Sequence, residues 1–148
     1  MANALSNVYE NAVLNHLFRC QTTGTARNEL TQPGSGASGI YVALFHGNTA
    51  AVAANLEAGT LTDEITLGSY TRKQVEFSVA SSGTISSDGA VTFPTATANY
   101  DGDVTALAVM DASTSGNVIA YGNLTVSKTV TTGDTFQIAD TNLTISLA

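Results

Sequence analysis

The chain has 148 residues, of which 43% are hydrophobic and only 11% are charged, so a single domain can bury a core without metal or disulfide support. Five Lys and Arg against twelve Asp and Glu give a net charge of −7, which argues against direct binding to nucleic acid or to an acidic membrane. Cys20 is the only cysteine, which excludes an intrachain disulfide and a paired-thiol zinc site.

The first predicted element is an amphipathic helix between Leu5 and Phe18, which Asn3 or Ser6 could cap. Its apolar residues fall three and four positions apart on one face: Leu5, Val8, Tyr9, Ala12, Val13 and Leu17. Core packing is the default role of such a face, and docking on a partner subunit is the alternative. The N-terminus lacks the features of a secretory signal, so we expect a soluble protein made in a cytoplasm.

The next segment, residues 21–39, is rich in Gly, Thr and Ser and predicts a long exposed loop of the kind that often makes binding contacts. The run Ile40–Phe45 is typical of a strand covered on both faces, and we place it in the centre of a sheet with the N-terminal helix against one face. Residues 50–58 predict a short helix between flanking glycines.

The second half alternates short apolar or Thr-rich runs with turn signals, which is typical of antiparallel sheets. Residues 70–79 alternate as in a half-buried strand, and Asp88-Gly89 predicts a type I′ hairpin between residues 84–87 and 90–93. Further strands are predicted at residues 104–110, 118–126, 135–138 and 143–147.

The predicted fold is mainly β: an antiparallel, jelly-roll-like β-sandwich of about seven or eight strands with one N-terminal amphipathic helix. We expect one domain, 1–148, with the helix in 1–20, the exposed loop in 21–39 and the sandwich body in 40–148. No internal repeat of fixed period is visible.

Few residues suggest chemistry. His16 and His46 have no neighbouring motif that activates a nucleophile, so we interpret both as ordinary structural or surface residues. Asp101-Gly102-Asp103 resembles part of a calcium loop but lacks its other ligands, which favours a plain turn. Arg72 and Lys73 indicate a solvated strand face or a salt bridge more than a phosphate site. We predict no catalytic residue, no cofactor and no metal ligand.

Five segments carry a family resemblance: residues 4–17, 40–45 (IYVALF), 68–72 (GSYTR), 91–97 (VTFPTAT) and 121–136. In this order they resemble a family of small virion structural proteins of tailed double-stranded DNA bacteriophages, commonly labelled tail fibre proteins, some of which act on the head. The chain departs from the family in residues 21–39 and 47–67, where partner contacts could differ.

The resemblance implies a non-enzymatic phage virion structural protein. A compact, acidic, Thr-rich β-domain without coiled-coil heptads or a fibrous repeat favours a capsid decoration (cement) protein on the outer head surface. The alternative is a tail-fibre or tail-tip component that binds a receptor on the host surface, a glycan or a protein, through residues 21–39 or the turns. A carbohydrate-active domain using paired acids is a remote third hypothesis.

The expected partners are the major capsid protein or neighbouring virion proteins, and the expected state is a homo-oligomer, with a trimer favoured. The localisation expected is the virion, assembled in the cytoplasm of a host bacterium. Candidate contact residues lie on the helix and in the loop that follows it: Leu5, Val8, Ala12, Arg27, Glu29 and Pro33.

Overall fold

The computed structural model describes residues 4–6, 9 and 39–146. This part of the chain contains nine strands and the helix α1 (Thr49–Glu57). The strands are β1 (Ala4–Leu5), β2 (Ile40–His46), β3 (Lys73–Val75), β4 (Thr84–Ser86), β5 (Val91–Thr92), β6 (Val104–Met110), β7 (Val118–Lys128), β8 (Gln137–Ile138) and β9 (Thr144–Ser146).

Five strands form an antiparallel sheet in the order β1-β7-β6-β2-β3. Its middle strand, β6, is buried at every position except Thr105, and β2 is buried from Val42 to Phe45. The prediction that these two apolar runs are inner strands is confirmed. Continuous apolar sequence suits them because both faces of the sheet are covered.

One face of the sheet is covered by α1. Its buried residues Val52 and Leu56 pack against Phe45 and Met110, and against the small side chains of Ala43, Ala106 and Ala108. The helix begins after Asn48, whose carbonyl oxygen Oδ1 accepts hydrogen bonds from the backbone N–H groups of residues 50 and 51. The short helix predicted at residues 50–58 is therefore confirmed, and alanines on the sheet leave room for it.

The other face is covered by a two-stranded ribbon. Residues 84–100 run antiparallel to residues 130–146 through the pairs β4–β9 and β5–β8 and through backbone bonds such as Tyr100 N–H to Val130 O, at 3.1 Å. Between the two pairs the register shifts by one residue, where the Gly89 N–H donates to the Asp140 carboxylate at 2.9 Å. The ribbon and the sheet share one apolar core, so the predicted mainly β, antiparallel, sandwich-like fold is confirmed.

The predicted hairpin at Asp88-Gly89 is wrong. β4 pairs with β9 and β5 pairs with β8, so the two strands beside this dipeptide do not pair with each other. The Asp88 N–H instead donates to the Glu76 carbonyl at 2.8 Å. Distant partners satisfy the backbone here, and they outweigh the local turn preference.

The predicted strand at residues 70–79 is shorter than expected. Only Lys73–Val75 forms a strand, and Val79 is 94% exposed instead of facing the core. Arg72 is buried and Tyr70 is half-buried, and both side chains donate hydrogen bonds to Glu64.

The predicted N-terminal helix is corrected at its start, since Leu5 belongs to β1 and lies opposite Ala120 on the edge of β7. The buried Ser6 hydroxyl donates to the Val118 carbonyl, which extends this edge pairing beyond β1. Tyr9 is helical. The other residues of the predicted helix, and the loop predicted at 21–39 except for Gly39, lie outside the described residues. In the part of the chain that the structure describes, no helix is long and apolar enough to cross a membrane.

Candidate functional site

The most highly connected polar group in the described residues is a buried ion pair. Nε and Nη2 of Arg72 each lie 2.7 Å from a carboxylate oxygen of Glu64, and the two side chains are 4% and 17% exposed. Nη1 of Arg72 donates to the carbonyls of Ala112 and Ser115, at 2.9 and 2.6 Å. The salt-bridge interpretation of Arg72 is confirmed, and the pair ties the residue 64–72 segment to the β6–β7 turn.

Tyr70 completes this network. Its hydroxyl donates to Glu64 Oε1 and accepts from the Leu44 N–H, both at 3.0 Å. Burial, together with the negative charge of Glu64, raises the pKa of Tyr70 far above its usual value. The hydroxyl therefore remains a neutral hydrogen-bond donor, which suits a structural role better than proton transfer.

Asp111 holds the same turn from its other side. Its carboxylate accepts from the Asn117 N–H at 2.6 Å and from Asn117 Nδ2 at 2.8 Å. Tyr9 also donates a hydrogen bond to this carboxylate, and burial, followed by the charge of Asp111, raises the pKa of Tyr9 to about 12. A Cβ at Gly116 would overlap the Asp111 carboxylate, so a glycine is required at that position. These contacts hold the turn between β6 and β7 in place.

The two carboxylates of Asp101-Gly102-Asp103 act separately. Asp101 accepts from the Thr66 hydroxyl at 2.6 Å and from the Thr66 N–H, whereas Asp103 accepts from the Thr129 hydroxyl at 2.7 Å. Burial opposes ionisation of Asp101, but the bonds from Thr66 lower its pKa overall. Among the described residues no group of three or more His, Cys, Asp or Glu side chains is arranged to hold a metal ion.

A groove of about 730 Å³ lies between the C-terminal half of β7 and the β8 segment. One wall of the groove is formed by β7, whose pairing with β6 is interrupted there. Ala106 lies opposite Asn123, and Val104 lies opposite Lys128. Thr105 alone separates the two β6 positions, whereas residues 124–127 separate the two on β7. These extra residues bulge from the ladder and leave Val126 65% exposed.

Apolar side chains form part of the groove, including the buried Leu107, Val130 and Ile138 and the half-buried Leu124 and Phe136. The polar lining consists mostly of amides and hydroxyls: Asn123, Thr125, Thr129, Thr135, Gln137 and Asn142. Among the described residues of this lining, Asp134 supplies the only carboxylate, whereas glycoside hydrolysis uses a pair of carboxylates.

The candidate contact residues from the sequence do not lie in this groove. Leu5 is half-buried and packs against the core between the sheet and the ribbon. Val8, Ala12, Arg27, Glu29 and Pro33 lie outside the described residues. Sequence analysis missed the groove because the run from Leu124 to Lys128 looks like the end of an ordinary strand, and the register change that exposes it depends on β6.

No curated protein matches the chain. A family model described as "Podophage GP4 fiber I protein gp80" matches residues 4–146. The match spans nearly the whole chain and agrees with the predicted resemblance, so the chain belongs to this family of phage virion structural proteins.

Proposed function

We propose that this protein is a tail-fibre component of a podophage and contributes to attachment to the host cell. The observation that carries the proposal is the family match over residues 4–146, because the family is described as a fibre protein. This description favours the tail-fibre alternative over the capsid decoration role that the composition had favoured. A compact domain of this kind would form a globular unit of the fibre and not its extended shaft.

The polar network of the described residues supports a role without catalysis. Arg72, Glu64 and Tyr70 bond to one another and to backbone groups, and Asp111 bonds to a turn. Groups that catalyse reactions normally face a cleft with one partner left for the substrate. Here their hydrogen bonds hold loops to the sheet, as expected of a protein that must stay rigid outside the cell.

Copy number and position on the virion test the proposal. Quantitative mass spectrometry of purified virions should give far fewer copies of this chain than of the major capsid protein, and immunogold particles should label the tail. An antibody against the major capsid protein provides the control and should label the head. An amount close to that of the capsid protein, with label over the head, would instead establish capsid decoration.

We also propose that the protein functions as a homo-oligomer in contact with neighbouring virion proteins, with a trimer favoured. Light scattering coupled to size exclusion should then give three times the mass of one chain. A mass equal to one chain across the accessible concentration range would contradict this proposal.

A further inference from the structure

The groove between β7 and β8 has features of a binding site that the fold alone does not require. Its volume of about 730 Å³ falls within the range of small-ligand sites, roughly 300–1,000 Å³. Its lining combines apolar side chains with amides and hydroxyls, among them Asn123, Gln137 and Asn142.

The polar groups of the groove are also held in place. Gln137 Nε2 donates to the Thr92 hydroxyl at 2.7 Å, and the hydroxyls of Thr135 and Thr95 lie 2.9 Å apart. Both contacts cross the ribbon, which itself packs on the sheet. A ligand would therefore meet polar side chains that are already ordered, which reduces the entropy lost on binding.

The charges at the groove identify the class of ligand. Among the described residues that line the groove, Lys128 is the only cation and Asp134 the only anion. The Asp134 carboxylate already accepts from the Thr131 N–H and hydroxyl, both at 2.8 Å. A phosphate or sulfate ligand would need several cations around it, and the net charge of −7 on the chain would also repel such an anion. Amides and hydroxyls next to apolar side chains instead match a neutral sugar, which has hydroxyl edges and C–H faces.

We propose that this groove binds a neutral oligosaccharide of the host cell surface. This inference rests on the proposed function as a tail-fibre component and assigns its receptor contact to the groove, which residues between 123 and 142 line. Amides such as Gln137 and Asn142 bond the sugar hydroxyls, and the exposed Val126 packs against their C–H faces.

The first experiment applies the labelled full-length protein to an array of purified bacterial polysaccharides, both neutral and anionic. We expect binding to neutral polysaccharides that persists when NaCl is raised from about 50 to about 500 mM, because screening does not weaken contacts without net charge. Binding to anionic polysaccharides alone, or to none, would overturn the proposal.

Variants then place the ligand in the groove. Gln137→Ala and Asn142→Ala each remove an exposed amide and should weaken binding of a positive polysaccharide about tenfold, as expected for the loss of one ligand hydrogen bond. Gln74→Ala is the matched control, since Gln74 is an exposed glutamine on β3, outside the groove. Groove variants that bind as tightly as Gln74→Ala would contradict the assignment.

Two further measurements separate this inference from the proposed function. Periodate treatment of bacteria that bind the labelled protein should abolish binding, and protease treatment should not; the reverse would mean a protein receptor and overturn the inference. Immunogold position on the virion is independent of the groove. Tail labelling without polysaccharide binding would reject the groove and leave the fibre role, whereas head labelling with polysaccharide binding would reject the fibre role.

Discussion

Nε and Nη2 of Arg72 face the two carboxylate oxygens of Glu64 at 2.7 Å, with the two side chains 4% and 17% exposed, and this pair ties residues 64–72 to the turn between β6 and β7. Glu64 lies beside β2 through a backbone bridge to Phe45, and the third nitrogen of Arg72 reaches the β6–β7 turn. A bidentate pair with every nitrogen occupied is a directional contact, so it positions these segments as well as joining them.

Arg72→Met should be strongly destabilising because it removes the positive charge and two of the hydrogen bonds that the Glu64 carboxylate receives, as well as the donor of two turn carbonyls. We expect a loss of about 3–5 kcal/mol in the free energy of unfolding, measured by urea denaturation. Lys73→Met, at the neighbouring half-buried position, should change it by no more than about 0.5 kcal/mol. An Arg72 variant as stable as its Lys73 counterpart would show that the pair contributes little.

Tyr70→Phe should change how stability depends on alkaline pH. The folded-state pKa of Tyr70 is raised, by burial and then by Glu64, above the unfolded value near 10. Its stabilising contribution is therefore complete below about pH 10 and declines as pH rises toward the folded-state pKa. Wild-type protein should lose stability more steeply above about pH 10 than Tyr70→Phe, by up to about 1.4 kcal/mol per pH unit. If denaturant titrations show the same pH dependence of the unfolding free energy for wild type and Tyr70→Phe, the raised pKa of Tyr70 would be contradicted.

Leu56→Ala tests whether α1 is required to cover its face of the sheet. Leu56 is fully buried against the sheet, so its truncation should cost about 2–5 kcal/mol through lost contacts and a cavity. Leu67→Ala is the matched control, because Leu67 is 53% exposed and should cost less than about 1 kcal/mol. Thermal or chemical unfolding gives both values, and similar losses for the two variants would argue against the packing described.

Gly68→Ala and Gly59→Ala form a matched pair at left-handed backbone positions, with φ of 74° and 76°. At Gly59 the added methyl meets open space, so only the backbone strain of about 1–2 kcal/mol is expected. At Gly68 it overlaps the Ala98 carbonyl and the Tyr100 ring, which should add about 1–3 kcal/mol. Equal destabilisation of the two variants in denaturant titrations would mean that this close contact is relieved without cost.

The elements that sequence analysis placed correctly are those with a strong local signal. Continuous apolar runs marked β2 and β6, and helix-forming residues between glycines marked α1. The pairing of strands was harder, because β4 and β9 lie about sixty residues apart and nothing in either short run specifies the other. The dipeptide Asp88-Gly89 even predicted a wrong partner, since the Glu76 carbonyl and the Asp140 carboxylate accept the hydrogen bonds of its two N–H groups.

By itself, the sequence determined a β-rich, acidic protein with two inner strands and a resemblance to phage virion proteins, since composition and apolar runs are local properties. Only the tertiary structure showed that Arg72 is buried against Glu64, that one ribbon covers the sheet, and that β7 bulges to form a polar groove. Each of these features depends on contacts between segments that are distant in sequence. Such contacts follow from the packing of the whole core, which no single stretch of residues encodes.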